Sequence, residues 1–320
     1  MIEFLMIQSS DLVFCGTPRF AVPTLEKLVE AGFQVRLVLT QPDRPKGRGL
    51  DLVASPVKQF AEKLGLPIHQ PEKIKQNEEL RAKLEEIHPD AIVVVGYGRI
   101  IPPWMLQLPP LGNINLHGSL LPKYRGAAPI QWAIANGETV TGVTTMRIDE
   151  GLDTGDLLLQ QEMAIDPEDT AETVAPKLAA MGADLMIETL RGLQAGTIQP
   201  QKQDNARATL APILKKEDGR IDFGRSAQEI CNRFRGFQPW PGAFTSFRGK
   251  GLNITAIKSA SEQVPQGQLL VGNGQIFAGC GTHSAVELLE VQPEGKKRMP
   301  AGDFVHGYRP RTGERLGALS

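Results

Sequence analysis

The residues of this chain best suited to chemistry are Asn115, His117 and, further along, Asp153. Asn115 and His117 stand two positions apart in NLHGSLLP at 115–122, so in a strand both side chains leave the same face. Asp153 follows in GLDTGD at 151–156. If the fold gathers them, an amide donor, an imidazole and a carboxylate can move a proton and stabilise an oxyanion. These residue types therefore predict acyl transfer.

Each of these features also has a purely structural interpretation. A histidine at the end of a strand is often held by a hydrogen bond within the fold, and GLDTGD is compatible with an ordinary turn. The sequence GTP at 16–18 lacks the GxGxxG pattern of a dinucleotide site, and a tight strand–helix turn explains it equally well. The sequence GYG at 96–98 is likewise compatible with a turn that approaches a ligand and with a purely structural turn.

The elements that must position these residues alternate between strands and helices over the first part of the chain. The apolar run 91–95 predicts a strand buried on both faces. A helix over 20–31 precedes a strand over 35–40, and Ser55 offers a cap for the next helix. This order predicts an α/β domain with a doubly wound, mostly parallel sheet. Ligands bind beyond the carboxyl ends of such strands, where His117 is expected.

The pattern then changes along the chain. Strands are predicted over 140–148 and 157–164, and a long helix from about residue 170, in which Pro176 requires a later start or a kink. After a polar segment at 198–205 and a helix over 226–235, short pieces between glycine turns favour a small β-barrel of OB type. The predicted barrel strands cover 243–247, 251–257, 267–271, 275–278 and 286–291.

Charge is distributed unevenly along the 320 residues, whose total is −1. Residues 1–205 carry 19 Lys and Arg against 26 Asp and Glu, a net of −7, and residues 206–320 carry 16 against 10, a net of +6. The basic end favours contact with a polyanion, and scattered charge for solubility is the alternative. Three distant cysteines without a CxxC pair fit reduced thiols in the cytoplasm. The apolar opening MIEFLMIQSS suits neither a signal peptide nor a membrane span.

Two groups of cations suit phosphate contacts. The loop QPDRPKGRG at 41–49 interleaves Arg44, Lys46 and Arg48 with proline and glycine, which fits phosphate binding and a solvated loop about equally. A second group is predicted to form a stripe on or beside the barrel: Arg233, Arg235, Arg248, Lys250, Lys296, Lys297 and Arg298. Nearby aromatic residues fit base stacking or, as we expect, the core. These are Phe237, Trp240, Phe244 and Phe247.

In several stretches the chain resembles the methionyl-tRNA formyltransferases. The stretches are CGTP at 15–18, the loop at 41–49, NLHGSLLP at 115–122, RGAAPIQ at 125–131, GLDTGD at 151–156, KEDGRID at 216–222 and FQPWPGA at 237–243. They occur in order and extend over nearly the whole chain. The Asn-x-His and Asp set is shared by folate-dependent formyltransferases of this fold, whereas the basic loop and the C-terminal stretches point to tRNA.

The resemblance implies that 10-formyltetrahydrofolate donates a formyl group to the α-amine of methionine on initiator tRNA, for translation initiation. It implies a Rossmann-like formyltransferase domain over 1–197, a linker over 198–208 and an OB-like tRNA-binding domain over 209–320. Asn115 and a protonated His117 are then expected to stabilise the tetrahedral oxyanion. Asp153 is expected to support the histidine and the proton transfer.

Further roles come from the same resemblance. The folate-binding stretch matches Ser119, Leu120, Leu121 and Pro122. The residues of the loop expected to approach the tRNA acceptor end are Arg44, Lys46 and Arg48. No metal is required, and a cytoplasmic monomer without membrane contact is expected.

The chain departs from the family pattern in two places. After Thr209 the family usually has an aromatic residue and, three positions later, a lysine, whereas this chain has Leu210 and Ile213. The change weakens the expectation of one tRNA contact there. At the amino terminus, Met6 is an alternative start to Met1.

Two other functions fit part of the pattern. A formyltransferase acting on a small amine, such as an amino-sugar nucleotide, shares the chemistry, but a small substrate needs no extended cationic surface. A non-catalytic folate- or RNA-binding module is expected to have lost part of the Asn115, His117 and Asp153 set, and all three are present.

Overall fold

The computed structural model describes residues 10–46 and 51–317, and these group by proximity into two units. The first unit holds the described residues of Met1–Pro129, Val140–Ala164 and Ala175–Pro212, and the second holds those of Ile130–Thr139, Ile165–Val174 and Ile213–Ser320. This grouping differs from the expected linear division. The segments 130–139 and 165–174 group with the second unit, and 198–208 groups with the first.

The helices and strands follow one another in an order close to that predicted. The first part of the chain contains β1 (Asp11–Gly16), α1 (Val22–Glu30), β2 (Gln34–Leu39), β3 (Arg44–Lys46), β4 (Asp51–Val53), α2 (Pro56–Lys63), β5 (Ile68–His69), α3 (Glu78–Ile87), β6 (Ala91–Val95), α4 (Pro103–Leu106) and β7 (Asn113–His117). The middle contains α5 (Pro129–Ala135), β8 (Val140–Arg147), β9 (Leu157–Ala164) and α6 (Ala171–Gln194). The C-terminal part contains α7 (Ala227–Gly236), β10 (Ala243–Phe247), β11 (Lys250–Ala260), β12 (Leu269–Gly272), β13 (Gln275–Gly279), β14 (Ala285–Pro293), β15 (Met299–Pro300) and α8 (Ala301–Tyr308).

The first unit is built on one sheet with the strand order β5-β2-β1-β6-β7-β8-β9. Neighbours from β5 to β7 pair in parallel, and β8 and β9 pair antiparallel. Every residue of β6 is buried, as a strand covered on both faces requires. The predicted mostly parallel α/β sheet is therefore confirmed.

Local sequence signals explain where several helices begin. The Ser55 hydroxyl accepts a hydrogen bond from the backbone N–H of Lys58 at 3.1 Å, and Pro56 stands at the first helical position of α2. Helix α6 begins at Ala171 and contains Pro176, so the later start that the proline suggested is wrong. None of the described helices is long and apolar enough to cross a membrane.

The second unit carries an antiparallel sheet with the path β10-β11-β14-β13-β12, and β15 pairs with β14. Strand β10 has the predicted bounds, β11, β13 and β14 are longer than predicted, and β12 begins two residues later than predicted. The core of the unit includes Phe247, Leu252 and Phe304. Helix α7 begins after Ser226 in a capping box, in which the hydroxyl accepts from the N–H of Glu229 and the Glu229 carboxylate accepts from the N–H of Ser226.

Candidate active site

Strand β7 positions the first two candidate residues. It lies between β6 and β8, and its start is fixed because the Asn113 amide donates to the carbonyls of Met105 and Leu106 at 3.0 and 3.1 Å. Asn115 and His117 are two residues apart within the strand and therefore project from the same face. The Asn115 side chain is half-buried and makes no hydrogen bond to the part of the chain that the structure describes. Its amide is available to a ligand.

Each ring nitrogen of His117 faces an oxygen atom. Nε2 lies 2.9 Å from the carbonyl oxygen of Tyr124, which can only accept, so Nε2 carries a hydrogen. Nδ1 lies 3.7 Å from Oδ2 of Asp153, somewhat longer than a hydrogen bond. The imidazole is 5% exposed. A neutral ring therefore presents an Nδ1 lone pair towards Asp153, and a protonated ring presents an Nδ1 hydrogen there.

Asp153 reaches the histidine through an unusual loop. Strand β8 runs antiparallel to β7, so its last residue, Arg147, pairs with Ile114 near the start of β7. The loop after β8 must return along β7 by roughly 10 Å, three residues of strand, to reach His117. Asp153 has a φ of +51°, in the left-handed region, and its Oδ2 accepts from the N–H of Gly126 at 2.8 Å.

The rest of this loop makes the return possible. The Asp149 carboxylate accepts from the N–H of Gly151 and from the hydroxyl of Thr154, which closes a turn. Gly155 passes so close to Arg147 that a Cβ at this position would overlap the Arg147 carbonyl oxygen. GLDTGD is thus a turn, and this turn brings Asp153 to His117.

The stretch predicted to bind folate is an ordered loop on β8. The hydroxyl of Thr144 donates to the carbonyl of Ser119 at 2.6 Å and accepts from the N–H of Leu121 at 3.2 Å. Ser119 is fully buried and donates to the Lys123 carbonyl at 2.6 Å, and Leu121 is 3% exposed. Leu120 and Pro122 are half-buried. Backbone groups and these two half-buried side chains are what the loop offers a ligand.

The basic loop is anchored to the carboxyl ends of the parallel strands by Gln41. Its amide donates to the carbonyl of Tyr97 at 2.9 Å, and its Oε1 accepts from Arg44 at 3.2 Å. Thr17 donates weakly to the same Tyr97 carbonyl and accepts from the N–H of Gln41, both at 3.4 Å. The two glycine turns singled out in the sequence therefore meet here, and Gln41 is the connection that sequence reasoning missed.

Asp43 fixes the start of the loop. Its carboxylate forms an ion pair with Lys58 at 2.6 Å and accepts from Gln70 at 2.7 Å. These hydrogen bonds, first from Lys58 and then from Gln70, hold the pKa of Asp43 below its usual range. The pairing of β3 with β4 begins at Arg44, whose position is thereby defined. Lys46 is the last residue of β3, and Arg48 lies outside the described residues.

The predicted C-terminal stripe of cations is wrong in part, because three members are engaged within the second unit. Arg233 lies over the Trp132 and Phe237 rings, Arg235 donates to the Asp169 carbonyl at 2.6 Å, and Arg248 pairs with Glu314 at 2.9 Å. The exposed members without a side-chain contact in the described residues are Lys250, Lys296, Lys297 and Arg298. They lie on two neighbouring turns, since the Glu294 N–H donates to the Gly251 carbonyl at 3.0 Å.

The aromatic residues near these cations divide into two groups. Phe237 and Phe247 are buried, as expected, with exposures of 1% and 6%. Trp240 is 54% exposed, so its assignment to the core is wrong. Flanking prolines and the FQPWPGA turn keep its indole at the surface of the second unit.

Neither the thiols nor the acidic residues form a metal centre in the described part of the chain. The three cysteines are free, and no group of three or more His, Cys, Asp or Glu side chains has the arrangement of a metal site there. Burial raises the pKa of the Cys231 and Cys280 thiols to about 11, which makes both unreactive near neutral pH. Asn115, His117 and Asp153 stay the candidate catalytic residues.

This fold and this set of side chains are those of a two-domain formyl transferase. The formyl transferase family model matches residues 11–190, and the model of the formyl transferase C-terminal domain matches residues 213–309. The chain is 66% identical over 309 residues to the methionyl-tRNA formyltransferase of Koribacter versatilis, with 97% of this chain and 99% of that protein covered. The chain belongs to the methionyl-tRNA formyltransferase family.

A second relative and a solved structure are also formyltransferases. The methionyl-tRNA formyltransferase of Acidobacterium capsulatum is 63% identical, with 96% of this chain and 99% of that protein covered. An N-formyltransferase from Helicobacter canadensis, solved with folinic acid and dTDP-3-aminofucose, superposes with a TM-score of 0.64 at 20% identity, covering 88% of this chain and 98% of that one. The second likeness confirms the formyltransferase fold.

The contacts of Thr144 generate a first prediction. Thr144→Val keeps the shape of the side chain but leaves the Ser119 carbonyl and the Leu121 N–H of the buried loop without their partner. We expect the free energy of unfolding of the first unit to fall by about 1–3 kcal/mol, measured by urea denaturation. The matched control is Thr141→Val, because Thr141 is buried on the same strand without a side-chain hydrogen bond in the described residues. Equal losses in the two variants would contradict the assigned role of Thr144.

Proposed function

We propose that this protein transfers the formyl group of 10-formyltetrahydrofolate to the α-amino group of methionine carried by initiator tRNA. The observation that carries the proposal is the meeting of His117 and Asp153 beside Asn115, in a chain 66% identical to a methionyl-tRNA formyltransferase over nearly its whole length. The three side chains supply one amide donor and one pair of groups that exchange a proton. Formyl transfer needs both.

The reaction requires attack by a neutral amine. The amine nitrogen bonds to the formyl carbon, the bond from that carbon to N10 of the folate breaks, and the attacking amine loses one proton while N10 gains one. The Asn115 amide donates to the oxyanion of the tetrahedral intermediate, and the positive charge of a protonated His117, whose Nδ1 faces Asp153 and whose Nε2 is engaged by Tyr124, stabilises the same oxyanion. Asp153 faces Nδ1 and passes the proton between the amine and the leaving N10.

The donor is assigned to the loop at 119–122 beside β7. Thr144 and Gln160 fix the backbone of this loop, the latter through a hydrogen bond of 2.8 Å to the Leu121 carbonyl. A rigid backbone presents N–H and C=O groups in fixed directions, which suits the hydrogen-bonding edge of a pterin ring. Leu120 and Pro122 are the side chains exposed enough to contact it.

The acceptor is assigned to the basic loop and to the second unit. Arg44 is anchored at its base by Gln41, and Lys46 and Arg48 follow it in the sequence. On the second unit, the exposed Lys250 and the run 296–298 form a basic patch on adjoining turns, which suits a phosphate backbone. We assign the site of action to the cytoplasm, where charged tRNA is used, and a monomer as the active form, because one chain supplies all three catalytic side chains.

An amino-sugar nucleotide is the second candidate acceptor, because the solved N-formyltransferase of the same fold contains an amino-sugar nucleotide. Its chemistry would use the same Asn115, His117 and Asp153. The basic loop and the net charge of +6 over residues 206–320 favour tRNA, since a small ligand leaves such an extended surface unused.

The acceptor is tested directly with the purified protein and 10-formyltetrahydrofolate. Met-charged initiator tRNA and an amino-sugar nucleotide are supplied in separate reactions, and the formylated amine is identified by mass spectrometry. We expect formylation of the methionyl-tRNA alone, with uncharged tRNA as the control. Formylation of the sugar alone would preserve the reaction type and overturn the acceptor.

Removal of the oxyanion donor is expected to affect the chemical step. In Asn115→Ala, kcat should fall roughly 100-fold or more, with little change in KM, because the lost interaction forms in the transition state. The control is Asn253→Ala, an exposed asparagine on β11 without a side-chain hydrogen bond in the described residues. A kcat for Asn115→Ala equal to that of the control would exclude Asn115 from the reaction.

Removal of the anchored cation is expected to affect tRNA binding. Arg44→Ala should raise the KM for methionyl-tRNA and reduce the slope of log KM against log salt concentration by about 1, while the KM for the folate stays constant. Arg81→Ala, which removes an exposed cation paired with Glu85 on α3, is the control for lost charge. If both variants showed the same KM and salt slope, Arg44 would have no part in recognition.

A further inference from the structure

A buried arginine lies next to the candidate active site. Arg125 is 7% exposed, and within the described residues its guanidinium has no carboxylate partner. Nε and Nη2 donate to Oε1 of Gln203 at 3.1 and 2.7 Å, and Nη2 also donates to Oδ1 of Asn205 at 2.8 Å. A guanidinium only donates, so it fixes the orientation of the Gln203 amide, with the oxygen towards the arginine.

The other end of the same amide holds the loop of Asp153. The Gln203 NH₂ group donates to the carbonyl of Asp153 at 2.8 Å and to the carbonyl of Gly155 at 2.7 Å. Reversing the amide would place its oxygen against two carbonyl oxygens and its NH₂ group against the guanidinium. One side chain therefore connects the charged group to the loop in a single allowed orientation.

Asp153 needs such external support. Its left-handed φ of +51° is unfavourable for a residue with a Cβ, and its loop must fold back along β7. The carboxylate is held by the N–H of Gly126, which directly follows Arg125. The carbonyl of the same residue is held by Gln203. The carboxylate of Asp153 is thus held by Gly126, which adjoins Arg125 in the chain. Its carbonyl is held by Gln203, which Arg125 orients.

The arginine is itself anchored through its backbone. Its N–H donates to the carbonyl of Thr209 at 2.8 Å, and its carbonyl accepts from the N–H of Ala211 at 2.7 Å. The segment expected to be a linker is joined to β9 as well, because Gln201 and Leu157 exchange backbone hydrogen bonds of 2.7 and 2.9 Å. Gln203 therefore projects from a segment that is itself fixed, as a positioning residue requires.

We infer that Gln203 is a positioning residue for formyl transfer, oriented by Arg125, and that it sets the place of the Asp153 carboxylate relative to His117. The inference rests on the proposed role of Asp153. The distance of 3.7 Å from Nδ1 to Oδ2 leaves little tolerance, because a displacement of about 1 Å is able to cost on the order of 100-fold in rate.

The test variant is Gln203→Glu. The carboxylate still accepts from Arg125 and so preserves the buried contact, but it has no hydrogen to donate to the Asp153 and Gly155 carbonyls. We expect kcat with 10-formyltetrahydrofolate and methionyl-tRNA to fall on the order of 100-fold while both KM values stay within about twofold. The control is Gln228→Glu, an exposed glutamine on α7 that donates to a side chain.

Two further measurements keep the result interpretable. Gln203→Glu loses two donations to the loop but gains an ion pair with Arg125, so its melting temperature should fall less than that of Gln203→Met, which loses the contact to Arg125 as well. In the double variant with Asp153→Asn, Gln203→Glu should cause little additional loss, because the two act through one group.

The outcomes separate the inference from the proposed function. Full activity of Asp153→Asn would remove Asp153 from the mechanism and with it the basis of the inference. Loss of activity in Asp153→Asn with unchanged kcat in Gln203→Glu would overturn the positioning role alone. Multiplying losses in the double variant, or a kcat loss matched by a large loss of melting temperature, would show that Gln203 supports the fold rather than Asp153.

Discussion

The approach of the Asp153 carboxylate to the His117 ring is the constraint on which the rest of this site depends. His117 ends β7, whereas Asp153 lies in the loop after β8, and because β8 runs antiparallel to β7 that loop begins beside the start of β7. The loop turns back along β7. Gly155, which has no Cβ, passes close to the Arg147 carbonyl, and Asp153 adopts a left-handed backbone conformation. Such a loop does not hold this shape by itself, because its own contacts are few and local.

Stability for the loop comes from outside it. Gly126 binds the carboxylate, Gln203 binds two carbonyls, and Arg125 fixes Gln203. Each contact joins positions more than 20 residues apart in the sequence, so each contributes only after the sheet has assembled. The strand that carries Asn115 and His117 is, by contrast, defined by its own apolar residues and its parallel neighbour. The site therefore combines two residues positioned by a strand, Asn115 and His117, with one residue, Asp153, that is held by contacts to distant parts of the chain.

This difference explains what the sequence was able to predict. The buried run 91–95, the capped helix after Ser55 and the helix predicted over 226–235 depend on neighbours within a few residues, and the structure agrees with each. Residue types also sufficed to single out His117 and Asp153, whose Nδ1 and Oδ2 atoms lie 3.7 Å apart. The contacts that the sequence did not predict join distant positions. The polar segment at 198–205 has no periodicity, and nothing in it indicates that Gln203 contacts the buried Arg125. Nothing local in the sequence distinguishes the buried guanidinium of Arg125 from an exposed one.

The residues proposed for chemistry and those proposed for recognition are held by different parts of the first unit, and this has a kinetic consequence. Arg44 is anchored through Gln41 and Asp43 to the turns after β1 and β6 and to α2, whereas Asp153 is anchored through Arg125 and Gln203. The two sets share no hydrogen-bonded residue among those described. Changes in the first set should therefore alter the encounter with the acceptor, and changes in the second the rate of the chemical step. A fold divided in this way is able to keep one formyl-transfer site while its loops are altered to accept a different amine. The reason is that the residues assigned to proton transfer, around Asp153, make no hydrogen bond with those assigned to partner selection, around Arg44.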